Sequence, residues 1–320
     1  MGSLIVSSGL KQRQSLPLDA KVAMTISRIK QWYEHFDGDV YGSFSGGKDS
    51  RVMMDLIWSI YPDVPALFVN TGLEYPEIVQ FVMAKKKQGY PVDIYRPLRT
   101  FRDVVLNDGF PLISKKTANM IRRVQNPTPN NGATRNLYLT GFRRDGVYKQ
   151  GSKIPERWMK LIDAPFKTTE VCCDVLKKEP FRRYQRDTGR YPFVGVMAGE
   201  GGNRSTLTEC NAFTAKAPQS RPMLFWTESD VWQYITERGL DYASVYDDRV
   251  VNGQAVPGEA RTGCMFCAFG AHLESVPNRF QRMAVSHPKQ WSYCMNNLGM
   301  GEALDFIGVE YRPDQQIDLV

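Results

Sequence analysis

The stretch Val40-Tyr41-Gly42-Ser43-Phe44-Ser45-Gly46-Gly47-Lys48-Asp49-Ser50-Arg51 decides the fold. Its first five residues read as a short strand. Two glycines then allow a tight turn whose N–H groups point into one concavity. From Arg51 to Ile60 the chain reads as a helix, with Val52, Met53, Leu56 and Ile57 as its buried stripe. A strand, a glycine turn and the positive end of a helix together make an anion site. Lys48 adds a full charge, and Ser45 and Ser50 add hydroxyl donors. The spacing is not Gly-x-x-x-x-Gly-Lys-Ser/Thr, so this is not a Walker A loop.

Outward from this stretch the same alternation continues. Val22, Ile26, Ile29 and Tyr33 form a helical pattern that ends at the turn Asp37-Gly38-Asp39. Strands are predicted at 65–69, 92–95 and 191–197, and helices at 76–87, 100–107, 114–124, 171–188 and 227–237. Strands alternating with helices predict an α/β fold with a parallel sheet. Residues 126–151 carry no period and read as a long mobile loop. Residues 1–20 read as a flexible N-terminus, 21–240 as the nucleotide-binding α/β domain with a basic loop at 114–160, and 241–320 as a smaller C-terminal region.

Composition excludes some classes. No apolar run approaches the ~20 residues a membrane span needs, and Met1 to Ser15 holds no signal-peptide core, so a cytoplasmic protein is predicted. The net charge is +7, but residues 115–160 alone carry +9. Their eleven bases face only Asp145 and Glu156. Such local basicity predicts a surface facing a polyanion, nucleic acid above all, against the plainer reading of a solvated basic face.

The loop Ser45 to Ser50, with Phe68-Val69-Asn70-Thr71-Gly72-Leu73-Glu74-Tyr75-Pro76-Glu77, resembles the phosphoadenosine phosphosulfate reductase family of the PP-loop, adenine nucleotide alpha-hydrolase-like superfamily. The resemblance implies a Rossmann-like open twisted parallel sheet with helices on both faces. It implies that Ser45, Gly46, Gly47, Lys48, Asp49 and Ser50 hold the phosphates of ATP or of a phosphosulfate nucleotide, with Lys48 and Asp49 in catalytic roles. Asn70, Thr71 and Gly72, at the end of a strand, fall where ligands bind in such sheets. After Val194 the chain reads Met197-Ala198-Gly199-Glu200-Gly201-Gly202-Asn203-Arg204, with more glycine than the family pattern, and Arg204 is an anion contact by the same resemblance.

Six cysteines in a cytosolic chain point to thiols or metal ligands rather than disulfides. Cys264-Met265-Phe266-Cys267 can bind one metal centre, and Cys172-Cys173 lies upstream. An adjacent pair with a distant Cys-x-x-Cys resembles the [4Fe–4S] arrangement of assimilatory adenylylsulfate reductases. Zinc, a ligand role for Cys210, and a plain core role for the adjacent pair stay open. Cys294 and the three histidines read as structural.

Reductases of the family carry a nucleophilic cysteine in a C-terminal Glu-Cys-Gly-Leu-His segment, and here 300–320 holds none. The expectation is therefore an ATP pyrophosphatase or sulfurtransferase using ATP, Mg²⁺ and a [4Fe–4S] cluster. Its partners would be a nucleic-acid acceptor and a sulfur donor such as a cysteine desulfurase, and a homo-oligomer is compatible. A phosphosulfate or adenylylsulfate reductase is the alternative, and a non-catalytic nucleotide-sensing module the next.

Overall fold

The computed structural model describes residues 9–200, 207, 209–251 and 253–313. Arg204 lies outside the described residues. Helix α1 spans Leu18–His35 and buries Leu18, Ile29 and Trp32. Strand β1 (Val40–Ser43) runs into the glycine loop and helix α2 (Lys48–Trp58). β2 (Ala66–Val69), α3 (Pro76–Lys87) and β3 (Val92–Tyr95) follow, with Pro76 in the first turn of α3, where its missing N–H costs nothing. Then come α4 (Phe101–Asn107), β4 (Leu112–Ile113), α5 (Lys115–Gln125) and α6 (Gly132–Thr140). Helix α7 (Glu179–Thr188) leads to β5 (Tyr191–Val194), and β6 (Asn211–Ala212) and β7 (Gln219–Ser220) precede α8 (Glu228–Arg238). The predicted capping box of α8 forms between Thr227 and Asp230.

The central sheet has six strands in the order β3-β2-β1-β5-β7-β6. Its pairings are parallel except for β6 with β7. This is the expected α/β architecture with a mainly parallel sheet. The chain leaves β1 toward β2 and β3 on one side, while β5 lies on the other. The glycine loop therefore opens where strand order reverses, which is where open α/β sheets bind ligands.

Several expectations need correction. The N-terminus is not flexible throughout 1–20: residues 9–14 are already helical and α1 starts at Leu18. Lys21 is buried and ion-paired to Asp230 at 2.7 Å, which fastens α1 to α8. The stretch 126–151 is not loop throughout, because it contains α6, closed by Gly141 at φ +84°. No residue of α6 is buried, so no apolar period betrays it. The predicted helix at 171–188 forms from Cys172 onward, and it contains a π-helical turn, Asp174–Lys178, that runs directly into α7. Pro180, which has no N–H to donate to the preceding turn, follows that π-helical turn.

The C-terminal part adds a hairpin, β8 (Arg249–Val251) with β9 (Gln254–Val256), then β10 (Ala268–Phe269) and helix α9 (Arg279–Ser286). β10 pairs in parallel with β4, Ala268 with Leu112 and Phe269 with Ile113. Ile113 sits at φ +65°, an uncommon conformation for a β-branched residue, and its carbonyl accepts the Gly270 N–H at 2.8 Å.

Candidate active site

Gly46 makes the turn of the loop at φ +75°. A Cβ there would lie 2.7 Å from Val82 Cγ2 and 2.8 Å from Ile78 Cγ2, so only glycine fits against α3. The loop is braced internally. Ser50 Oγ donates to the Gly47 carbonyl at 2.9 Å and accepts from the Ser45 N–H at 3.2 Å. Gly47 caps α2 without a side-chain cap of its own, while its N–H donates to Ser45 Oγ at 3.3 Å.

Lys48 is buried at 2% exposure. Its amine donates to the Ala260 carbonyl at 3.0 Å and pairs with Glu228 at 3.2 Å. The rings of Tyr246 and Trp232 lie 5.3 and 5.9 Å from it. The Lys48 N–H donates to Tyr246 Oη at 3.2 Å, and that oxygen also meets Thr262 Oγ1 at 2.7 Å. Burial raises the Tyr246 phenol, which stays protonated.

The loop forms one wall of a cleft of about 740 Å³, within the ~300–1,000 Å³ usual for small-molecule sites. Gly195, after β5, completes this wall. The facing wall is Glu259 to Cys264, Arg279 and Arg282. Arg282 is paired with Glu259 at 2.8 Å, and Arg279 with Glu274. Arg279 Nη1 also donates to the Cys267 carbonyl at 2.8 Å. Sequence reading missed Tyr246, Arg279 and Arg282 as cleft residues. The Asn278 cap followed by Arg279 and Arg282 on one helix face was the available signal.

Asn70, Thr71 and Gly72 do not line this cleft. Thr71 donates through N–H and Oγ1 to Glu74 at 2.9 and 2.7 Å, and Gly72 N–H donates to Asn70 Oδ1 at 3.1 Å. They form a turn that aims Glu74 into the cleft.

The four expected cysteines come together. Cys172 keeps its proton by hydrogen bonding to Cys173, with burial and the nearby Cys267 and Cys264 acting the same way. That bond lowers Cys173 to about 5, helped by Lys115 and Lys177. Burial pushes Cys264 up to about 11 and raises Cys267. Burial works against the charge of Lys177, but Cys264 and Glu74 outweigh it and raise its pKa. The Met265 N–H donates to the Leu73 carbonyl at 2.8 Å, which holds the Cys-x-x-Cys at the end of β2. Cys210 is elsewhere, among Arg28, Arg13 and Arg221, and Cys294 is fully buried. Four thiols beside two lysines fit a thiolate-ligated centre in donor chemistry. Among the described residues, no three His, Cys, Asp or Glu side chains stand in a metal-holding arrangement. Cys264 and Lys177 line the nucleotide cleft, so loop and thiols share one site.

The histidines stay structural. His287 is buried and bonds Glu77 at 3.1 Å, and His272 lies edge-on to Trp158. No helix among the described residues is long and apolar enough to cross a membrane.

The family model for the phosphoadenosine phosphosulfate reductase domain matches residues 39–155 and 147–269. The chain belongs to this family. An uncharacterized protein of Methanocaldococcus jannaschii is 23% identical over 279 residues, covering 85% of this chain and 44% of its own length. The chain spans about half the length of the archaeal relatives it matches. The adenosine 5'-phosphosulfate reductase of Anoxybacillus flavithermus is 21% identical, covering 83% of this chain and 88% of that protein. Among solved structures, phosphoadenylyl-sulfate reductase from Candida auris, in a phosphate complex, matches with a TM-score of 0.41 at 15% identity, over 74% of this chain and 95% of that one. The glycine loop, Ser45 to Ser50, lies within the matched residues.

Proposed function

We propose that this protein is an ATP pyrophosphatase and sulfurtransferase that adenylates an acceptor, nucleic acid in our reading, for sulfur insertion. The disposition of the cysteines carries this reading over reduction. Attack on a phosphosulfate sulfur needs a thiolate free to reach it. Four of this chain's thiols converge, Cys294 is fully buried, and burial raises Cys210. In our reading the four converging thiols are committed as ligands, which leaves no independent nucleophile among the six.

In the proposed reaction an acceptor oxygen bonds to the α-phosphorus of ATP, the bond to the β-phosphate bridging oxygen breaks, and pyrophosphate leaves. The amides at the start of α2 and the Lys48 amine would stabilise charge on the leaving group. Asp49, in the first turn of α2, would help orient the reacting groups. The cleft's carboxylates Glu74, Glu259, Glu274 and Asp49 are engaged by Thr71, Arg282, Arg279 and Lys48. Mg²⁺ would therefore be held mainly by the nucleotide's phosphates. Cys172, Cys173, Cys264 and Cys267 would hold a [4Fe–4S] cluster, with zinc the competing occupant. When bound, the cluster would supply sulfide to displace AMP from the adenylated acceptor, and a separate sulfide-level donor would replenish it.

Mass analysis of products from anaerobic protein tests the reading. With a nucleic-acid acceptor present, pyrophosphate from ATP and Mg²⁺, with AMP released or held on the acceptor, would support it; ADP, or no product, would overturn it. Sulfite from a phosphosulfate nucleotide and a thiol reductant would establish the reductase reading instead, which the Anoxybacillus relative's name favours. Iron and acid-labile sulfide in the purified protein, lost on Cys264→Ser, would support the cluster. A colourless preparation with stoichiometric zinc would reject it.

A further inference from the structure

A second cleft, of about 700 Å³, lies beside α5 and is lined by Lys115, Lys116, Tyr138, Lys149, Ser152 and Cys173. It is separate from the nucleotide cleft. The two approach the thiols through different residues, one at Cys264 and Lys177, the other at Cys173 and Lys178.

The eleven bases of residues 115–160 are not equivalent. Arg122 is held by Glu170 at 2.8 Å, Lys153 by Glu156 at 3.1 Å and Arg143 by Asp145 at 3.4 Å. Lys160 donates to the Phe306 carbonyl at 2.7 Å, and Arg157 lies over Trp158. Lys115, Lys116 and Lys149 are exposed and have no carboxylate partner within 4.0 Å among the described residues, and Lys115 bonds the Cys173 thiol. All three line this cleft.

We propose that this cleft binds single-stranded nucleic acid, seating one nucleotide beside Cys173 with neighbouring phosphates on Lys115, Lys116 and Lys149. Exposed ammonium groups without a carboxylate partner supply the phosphate affinity. Tyr138 offers a ring on which a base can stack, and Gln150 and Ser152 offer both donors and acceptors to its edge. A cleft of this size admits a splayed nucleotide and not a duplex, whose bases stay stacked inside. The inference rests on the nucleic-acid acceptor reading above and gives that acceptor its place.

The test is fluorescence anisotropy of a labelled single-stranded DNA, and of the matching duplex, over a series of KCl concentrations. Lys115→Glu/Lys116→Glu/Lys149→Glu should weaken single-strand binding by more than about tenfold and lower the log–log salt slope by about 2, at ~0.7 per phosphate contact. Lys30→Glu/Lys86→Glu/Lys87→Glu, the same charge change at exposed sites elsewhere, should leave the slope unchanged. Ser152→Trp keeps every lysine but fills the cleft, and should weaken the single strand. An unchanged slope in the first variant, equal affinity for duplex, or wild-type affinity in Ser152→Trp would overturn the proposal. Displacement by polyglutamate as effective as by DNA would also overturn it and point to an acidic protein partner. Product analysis on the same preparation separates the two readings. Pyrophosphate formation without DNA binding breaks this inference alone, and DNA binding without pyrophosphate breaks the adenylation reading alone.

Discussion

The two clefts that flank the cysteines are both basic, yet they are built in opposite ways. In the nucleotide cleft each named cation has a partner: Lys48 has Glu228, Arg279 has Glu274 and Arg282 has Glu259. Backbone geometry shapes the wall, and Gly46 is held against Val82 and Ile78. In the second cleft Lys115, Lys116 and Lys149 are exposed and have no carboxylate partner, Lys178 being paired with Asp174, and of the two helices that line it α6 buries nothing. The first is preorganised for one small ligand. The second supplies charge with little fixed geometry, as suits a flexible polyanion.

This contrast can be broken or sharpened by mutation. The largest effect is expected from Gly46→Ala. The left-handed backbone costs ~1–2 kcal/mol for a residue with a Cβ, and crowding adds ~1–3 kcal/mol. Thermal denaturation should report that loss, and ATP should no longer bind at concentrations that saturate the wild type. The labelled DNA should still bind; if it does not, the clefts are not independent.

Lys48→Met comes next. Removing a charged hydrogen-bonding group costs ~1.5–3 kcal/mol, so titration calorimetry should show ATP affinity falling by ~10–100-fold. An unchanged affinity would mean that the amine serves only Glu228 and the Ala260 carbonyl.

Glu77 braces the nucleotide side by pairing with Arg249 at 2.8 Å and His287 at 3.1 Å. Burial would raise its pKa, but bonding to His287 and the charge of Arg249 lower it below its ordinary 4.5. A depressed carboxyl adds stability above its unfolded-state pKa and loses it as pH falls through the folded value. Glu77→Gln should therefore cost ~1–2 kcal/mol at neutral pH, with the difference shrinking below pH ~4. Urea unfolding at the two pH values measures this, and a pH-independent difference would contradict it.

The smallest effect belongs to Arg144→Ala on the exposed loop. Stability should change by less than ~0.5 kcal/mol, and the DNA salt slope by less than ~1. A change as large as that of the triple lysine variant would move the DNA path onto the loop.

What the sequence made legible follows the same divide. Ser45 to Ser50 were readable because strand, glycine turn and helix are contiguous and each has a local signature. The convergence of Cys172 and Cys173 with Cys264 and Cys267 was legible only through resemblance, since nothing local relates segments 91 residues apart. Tyr246 was invisible because tertiary packing alone brings it to Lys48, and Arg282 left only its place with Arg279 on one face of a capped helix. The helix Gly132–Thr140 escaped because an element that buries nothing writes no hydrophobic period. Lys115, Lys116 and Lys149 were visible as charge, but telling them from Arg122 required seeing Glu170.

The short parallel ladder of Leu112–Ile113 with Ala268–Phe269 has a consequence for the order of assembly. It joins segments more than 150 residues apart, so its loop-closure cost is met only when almost all of this sequence has left the ribosome. Until then Cys172 and Cys173 wait without their partners, and the nucleotide cleft waits with them, because Tyr246, Glu259 to Cys264, Arg279 and Arg282 complete it. The glycine loop and α2 can form early, but the cleft and the thiol group mature late and together.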